Sequence, residues 1–520
     1  MRSGPPARRA SRGCDAAGSG AKSRRAAGER GGEPAEFGLL PKVWPAVLAL
    51  GWICLAVGAA QGVMTLFSFA VADGMGDVFA STAAITVVFG GACVLTTSGR
   101  HFELRFRDAV LLTVVSWFVV PAFAGLPLLA EPIDLSVVDA YFESVSGMTT
   151  TGSTLLTGLD ALPPSVLLWR STAQWIGGIG IIGLAIVILP FLKVGGMQLF
   201  RLESTDRSEK GMPRTRAIAG AVGRIYVLLT IACFLTYWLL GMSAFDALNH
   251  ALTTLPTAGY STHDASFGYF DSPALEWAGT VFMIAGAIPF LAYLQFARRG
   301  SLWDRIEPQI PTFLAMIACA TLVFAAWLSA THRISFGEAL TKSAFNITSV
   351  VTTTGFASVD YLAWGAFAAA FFFILTFFGG CAGSTAGGPK VFRYQVMFRL
   401  IAQHIRRTIH PHAVIPLRYG NRTLSDEQVR SVGAFIFLYF GAIAVTAILL
   451  AVIGLDTTTA VSGAASAIGN VGPGIGTIIG PAGNFGSLPD AAKLILAVAM
   501  IMGRLEILSL LLLLMPSFYR

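Results

Sequence analysis

The feature that most constrains this chain is a short polar motif that keeps returning. Thr149-Thr150-Thr151-Gly152-Ser153-Thr154 reappears in altered form as Leu255-Pro256-Thr257-Ala258-Gly259-Tyr260-Ser261, as Val351-Thr352-Thr353-Thr354-Gly355-Phe356-Ala357, and as Gly469-Asn470-Val471-Gly472-Pro473-Gly474. The glycines at 152, 259, 355 and 472 recur at intervals of roughly 100 residues. A short apolar run precedes each motif and a long one follows it. A fixed period marks one structural unit used repeatedly. Here the unit reads as helix, short helix, Gly-centred loop, helix. Four such units can surround one axis, and their loops can form one ring.

Composition says what medium the units occupy. With 54% hydrophobic residues, 12% charged and a mean hydropathy of +0.68, the chain reads as an all-α polytopic membrane protein. Its 520 residues leave room for about ten spans of about 20 residues each. The six cysteines (14, 54, 93, 233, 319 and 381) are isolated singles, which gives no disulfide frame, zinc site or redox pair. The net charge of +7 reads as cytoplasmic loop charge rather than as a nucleic-acid surface.

Residues 1–40 form an Arg-, Ala-, Gly- and Ser-rich segment without an apolar run, expected to be a disordered basic tail. A leading hairpin (41–104) has spans near 43–70 and 77–97. Repeat 1 (105–200) has spans near 108–130 and 164–192 and a short helix near 138–149. Repeat 2 (201–300) has spans near 217–242 and 273–297 with a short helix near 244–255. Repeat 3 (301–425) has a span near 311–330, a short helix near 335–351 and a second span from about 362. Repeat 4 (426–520) has spans near 427–453 and 489–515 with a short helix near 456–468. Basic residues gather in alternate connections: the tail, Arg100 to Arg107, Lys193 to Arg216, Arg298 to Arg305, and Arg406 to Arg422. The positive-inside rule makes that side cytoplasmic, with both termini. The opposite connections carry Asp73, Glu131, Asp134, Asp160, Asp264, Asp271, Asp360 and Asp456. All four Gly-loops then lie in the outer half of the membrane.

The runs before the loops are about ten to fifteen residues long, too short to cross and right for a half-helix that enters and turns back. Irregular backbone at membrane depth survives only where it is buried in protein or lines water. Rings of backbone carbonyls can replace the hydration shell of a cation. Glycine permits the positive φ that aims successive carbonyls at one axis, and the half-helix points its partial negative end the same way. Gly, Ser and Thr in apolar segments also serve close helix packing, which is the reading for Trp175-Ile176-Gly177-Gly178-Ile179-Gly180. Four motifs in one register favour a pore.

Two further features point to a gate. The second span of repeat 3 is interrupted by Phe378-Gly379-Gly380-Cys381-Ala382-Gly383-Ser384-Thr385-Ala386-Gly387-Gly388-Pro389-Lys390, a run that breaks any helix. It reads as a loop deep in the bilayer below the filter, or else as a cytoplasmic turn. Arg504 lies about fifteen residues into the last span; a central arginine costs about 2.5–3.5 kcal/mol to insert. It must face the interior and find acceptors, either the loop carbonyls or Glu506.

At these motifs the chain resembles the superfamily of K+ transporters that includes bacterial TrkH and KtrB and plant HKT proteins, over roughly residues 43–520. The leading hairpin and Asn470-Val471-Gly472-Pro473-Gly474 place the likeness on the TrkH side. The resemblance implies four covalently joined repeats that mimic four channel subunits. Its filter residues fall on Thr150, Thr151 and Gly152, on Thr257, Ala258 and Gly259, on Thr353, Thr354 and Gly355, and on Asn470, Val471 and Gly472, with K+ at their carbonyls. Only the glycine is common to all four loops, a reduced signature that implies looser selectivity than a full channel motif. Some plant relatives with Na+ transport carry Ser at the first filter glycine; Gly152 here favours K+. The implied gate comprises Gly380, Gly383, Ser384, Thr385 and Gly387 opposite Arg504. The family further implies a homodimer in a plasma (inner) membrane and a cytosolic nucleotide-binding ring of the TrkA or KtrA kind. The basic connections 193–216 and 390–422 would dock that ring or anionic lipid. No organic cofactor and no nucleic-acid partner are expected. A H+- or Na+-coupled carrier and an intramembrane enzyme are the competing readings. Glu143, Asn249, His250 and Lys342 make no catalytic constellation, and His263 with Asp264 reads as solvated.

Overall fold

The computed structural model describes residues 44–98, 106–184, 211–299, 307–420 and 422–519. The tail, Arg100, Arg105, Arg305, and Lys193 to Lys210 lie outside the described residues. Helices α1 (Trp44–Val71) and α2 (Gly76–Thr97) form the leading hairpin. Leu50, Cys54, Val57 and Phe79 pack on Val120, Ala140 and Trp169 of the first repeat. The hairpin is tied there by Asp73, whose carboxylate accepts from the Ser165 amide at 2.8 Å.

Each repeat then follows the expected order. Repeat 1 has α3 (Phe106–Ala124), the short α4 (Val137–Met148) and α5 (Pro164–Gly183). Repeat 2 has α6 (Gly211–Leu239), the short α7 (Ala244–Thr254), α8 (Pro273–Ala287) and α9 (Phe290–Arg299). Repeat 3 has α10 (Gln309–His332), the short α11 (Phe336–Val351), α12 (Ala366–Leu375) and α13 (Val391–Ile409). A two-residue hairpin, β1 (Arg418–Tyr419) with β2 (Arg422–Thr423), closes the connection to repeat 4. That repeat has α14 (Asp426–Val452), the short α15 (Thr457–Gly469), α16 (Asp490–Arg504) and α17 (Leu508–Leu514). Among the described residues six helices are long and apolar enough to cross a bilayer, including α1, α2, α10 and α14.

The short helices start alike. Ser136, Ser243, Ser335 and Asp456 each cap by accepting the amide three residues on, at Asp139, Asp246, Glu338 and Thr459. A side chain thus satisfies one orphan amide at every entry. Hydrogen bonds from the Thr459 hydroxyl and amide hold the Asp456 carboxyl below the usual carboxylate range.

In repeats 2 and 4 the helices that follow the loops are not the straight spans expected. Residues 273–297 bend by 90° between α8 and α9, and 490–514 bend by 108° between α16 and α17. The first break falls at Ile288-Pro289, where the proline cannot continue the ladder. The second has neither proline nor glycine at its corner. Glu506 and Ile507 sit at φ +56° and +58°, which costs about 1–3 kcal/mol each and is held by partners of Arg504 and Glu506. Residues 376–390 break the second span of repeat 3 outright.

Glycines let the second helices approach the short ones. A Cβ on Gly177 would overlap the Met148 carbonyl, one on Gly286 that of Leu255, and one on Gly503 that of Ile468. These three carbonyls each lie four residues before the glycine of a loop. Gly178 likewise seats Tyr226 and Pro256, so the Trp175–Gly180 run is a packing surface. Gly177→Ala, Gly286→Ala and Gly503→Ala are expected to lower stability by about 1–3 kcal/mol through overpacking, read as thermal unfolding in detergent. Gly441→Ala, in open space within α14, should be neutral or stabilising by up to about 1 kcal/mol.

Candidate functional site

The four loops share one backbone. Gly152, Gly259, Gly355 and Gly472 have φ of +84°, +84°, +87° and +105°. Two residues earlier, Thr150, Thr257, Thr353 and Asn470 have φ of +53°, +52°, +59° and +52°. Left-handed residues thus alternate with ordinary ones, a conformation that turns successive peptide groups the same way. The loop amides point back at their helix. Ser146 O accepts from the amides of Thr151 and Gly152, Thr253 O from Ala258 and Gly259, and Ser349 O from Thr354 and Gly355. Val471 N donates to Ser466 O in the same register.

The loops close into a ring. A Cβ on Gly152 would meet the Ala258 carbonyl, on Gly259 that of Thr354, on Gly355 that of Val471, and on Gly472 that of Thr151. Each repeat's glycine faces the carbonyl just before the next repeat's glycine, and the fourth returns to the first. A vestibule of about 230 Å³ opens over all four glycines.

Behind the ring, a polar side chain on each short helix holds the limb that leaves the glycine. In repeats 1 to 3 it stands nine residues before that glycine. Glu143 accepts from the Thr154 hydroxyl and the Leu155 amide, both at 2.9 Å. His250 Nε2 lies 2.9 Å from Ser261 Oγ. Asn346 Nδ2 donates to Ser358 Oγ at 2.9 Å. Ser462, one residue earlier in register, accepts from Ile475 N at 3.0 Å. Glu143 also pairs with Arg170 of α5 at 2.9 Å, both fully buried. Arg170 reaches Thr154 Oγ1 at 2.9 Å and stacks over Tyr260 at 4.2 Å. Lys342 pairs with Glu276, and Lys493 with Asp139. Glu143 and His250, which make no catalytic constellation, brace the loops instead. Their signal was present, since ionisable groups in apolar segments need partners. His263 is not solvated either. Its side chain is 12% exposed, stacked on Tyr269 at 3.5 Å and set against Asp160 and Asp246. The exposed Asp264 accepts from Gly158 N at 2.9 Å.

The interrupted segment lies directly beneath the ring. Gly387 N donates to Thr353 Oγ1 at 2.6 Å, and Thr385 Oγ1 lies 3.2 Å from Thr257 Oγ1. Arg504 Nη2 donates to Thr385 O at 2.9 Å and to Thr150 Oγ1. Three of the four left-handed residues that precede the glycines are therefore bonded to the segment or to Arg504. Glu506 is not the partner of Arg504; it pairs with Arg393 at 2.5 Å. The backbone freed by the α8 break supports the segment: Cys381 N donates to Ala287 O at 3.0 Å and Thr385 N to Gly286 O at 3.3 Å. The buried Gln309 brackets Ala382, accepting its amide at 2.7 Å. Lys390 Nζ donates to Ala386 O. A cavity of about 30 Å³ beside Gly383, Ser384, Gly387 and Arg504 is lined also by Lys390 and Tyr439. Gly380 packs against Ala287 and Ala386.

A membrane protein of four pseudo-repeated helix–loop–helix units, with their loops joined in one ring, is the class that this fold and site define. The family model for TrkH, described as cation transport protein, matches residues 75–301 and 309–518. The chain belongs to that family, which is one of transporters. It is 46% identical over 481 residues to the Trk system potassium uptake protein TrkI of Halomonas elongata, covering 91% of this chain and 96% of that protein. Against the Trk system potassium uptake protein TrkH of Vibrio parahaemolyticus it is 38% identical over 455 residues, covering 86% and 93%. The crystal structure of the potassium transporter TrkH from Vibrio parahaemolyticus superposes with a TM-score of 0.85 at 34% identity, covering 92% of this chain and 100% of that one.

The Glu143–Arg170 pair gives a direct test. Glu143→Ala strands a buried guanidinium and is expected to cost about 3–5 kcal/mol. Glu143→Gln keeps an acceptor for Thr154 or Leu155 and should cost less. Thermal unfolding of the purified variants compares them; equal stability would show that the pair holds nothing.

Proposed function

We propose that this protein takes up K+ through a pore whose filter is the ring of four loops and whose gate is the segment 379–388. The closed cycle of glycine-to-carbonyl approaches carries this reading. Carbonyl oxygens packed that closely repel one another, and a dehydrated cation between them removes the repulsion while they replace its water. The carbonyls at Thr150, Thr151, Thr257, Ala258, Thr353, Thr354, Asn470 and Val471 would be the ligands. Gly472 O already accepts the hydroxyls of Ser153 and Ser466 at 2.9 and 2.8 Å, so this loop serves through the two residues before it.

Gating follows from the contacts below. While Arg504 and the segment hold Thr150, Thr257 and Thr353, the lower end of the ring is plugged and carries a fixed positive charge. Withdrawal of the segment opens the path. The signal for withdrawal would come from a cytosolic nucleotide-binding ring docked on the basic connections, where Arg406, Arg407, Arg418 and Arg422 are exposed. Anionic lipid headgroups would meet the same charges. The membrane subunit would pair as a homodimer in the inner membrane, with both termini in the cytoplasm. No organic cofactor enters this scheme; K+ is the cargo.

Current through purified protein in planar bilayers is the test. A passive pore reverses at the K+ equilibrium potential under a K+ gradient and shifts little when Na+ replaces an inert cation. A reversal set by H+ or Na+ gradients would instead mark a coupled carrier and reject the channel-like reading. Deleting several residues of 380–388 should raise Rb+ uptake into proteoliposomes; unchanged flux rejects the gate. Gly152→Ser places a side chain against the Ala258 carbonyl at a left-handed position and should lower K+ preference over Na+ in the same bilayer assay.

A further inference from the structure

The four loops are not held alike. Repeats 1 and 3 carry a threonine on each side of the left-handed residue. Thr149 and Thr151 have hydroxyls 2.7 Å apart, as do Thr352 and Thr354. In each pair the first hydroxyl also lies 2.7 Å from a helix carbonyl, Val145 O or Thr348 O. The residue just before the glycine is thereby tied to its own helix. Repeat 2 has Pro256 and Ala258 at these positions, and repeat 4 has Gly469 and Val471. Neither pair contains a hydroxyl.

Both of these loops are tied by an amide instead. In repeat 4, Asn470 Nδ2 donates to Thr151 Oγ1 and to Met500 O, each at 2.9 Å. In repeat 2 the amide belongs to another repeat. Gln174 of α5 is completely buried. Its Nε2 donates to Ala258 O at 2.8 Å, and its Oε1 accepts from Tyr260 N at 3.1 Å. The two bonds straddle Gly259 and fix the amide's orientation, because an oxygen facing the Ala258 carbonyl would be repelled. Arg170, one turn earlier on the same helix, covers the Tyr260 ring. Repeat 1 thus grips the filter loop of repeat 2 across residues 258–260.

We propose that Gln174 is a specificity-determining positioning residue, replacing from the neighbouring repeat the threonine tie that the second loop lacks. This rests on the reading of the ring as a K+ filter. A smaller ion gains its full coordination only if the carbonyls close in around it. A loop fixed at Ala258 O and Tyr260 N cannot follow, so the ring stays sized for the larger ion. Without the amide, this loop moves inward and accepts Na+.

The test is the K+/Na+ permeability ratio, taken from the reversal potential under bi-ionic conditions, a quantity independent of how much protein is active. Gln174→Met keeps the length of the side chain but makes neither hydrogen bond; Gln174→Ala loses both bonds and the bulk. Both variants are expected to lower the ratio by about three- to tenfold, the scale of one or two buried hydrogen bonds. Restoring a threonine pair, Pro256→Thr with Ala258→Thr in the Gln174→Ala background, fills the vacated space and should recover most of the loss. A ratio unchanged in both single variants overturns the proposal, as does a loss that the threonine pair leaves unrepaired. A wild type without K+ preference would sink the filter reading itself, whatever the variants do.

Discussion

Everything in this molecule serves a close approach between glycine Cα atoms and neighbouring carbonyl oxygens around one axis. Four such approaches close a circle, and each is possible only because no Cβ stands between the two backbones. The oxygens so gathered are mutually repulsive, and in a low dielectric that repulsion is strong. The fold must hold them by means that do not occupy the axis. It does so from behind: loop amides return to Ser146 O, Thr253 O, Ser349 O and Ser466 O, and Glu143, His250, Asn346 and Ser462 secure the limbs that leave the glycines.

Buried charge is arranged by the same requirement. Removing an ion from water costs several kcal/mol after relaxation, and Glu143 and Arg504 each serve several partners at once. Glu143 meets Arg170, Thr154 and Leu155 N together. Arg504 meets a loop carbonyl below the ring and a hydroxyl within it. Glu506 is thereby left for Arg393. These side chains join elements from different repeats, so the ring and the segment beneath it are mechanically one body until those bonds break.

The broken helices belong to this design. A straight α8 would leave Gly286 O and Ala287 O inside its own ladder. Bent at Ile288-Pro289, it offers those oxygens to Thr385 N and Cys381 N. The corner at Glu506 and Ile507 likewise turns a carboxylate inward at the cost of two left-handed residues.

How much of this was legible depends on the distance between partners. The period of the glycines, the serine or aspartate before each short helix and the glycine-rich interruption are local signals, and the elements follow them within a few residues. Pro289 was a visible signal for one break that the length of the apolar run concealed. The corner at 505–507 had none, because its strain is held by Thr385, Thr150 and Arg393, far along the chain. Arg170 and Gln174 could have been noticed as polar residues in an apolar helix, but not matched to Tyr260 and Ala258. The sequence by itself determined that four re-entrant units exist and where their glycines lie, because periodicity and turn chemistry act over a few residues. Only the tertiary structure decided which oxygen each buried donor meets, because those partners stand tens to hundreds of residues apart and are brought together only when the ring closes.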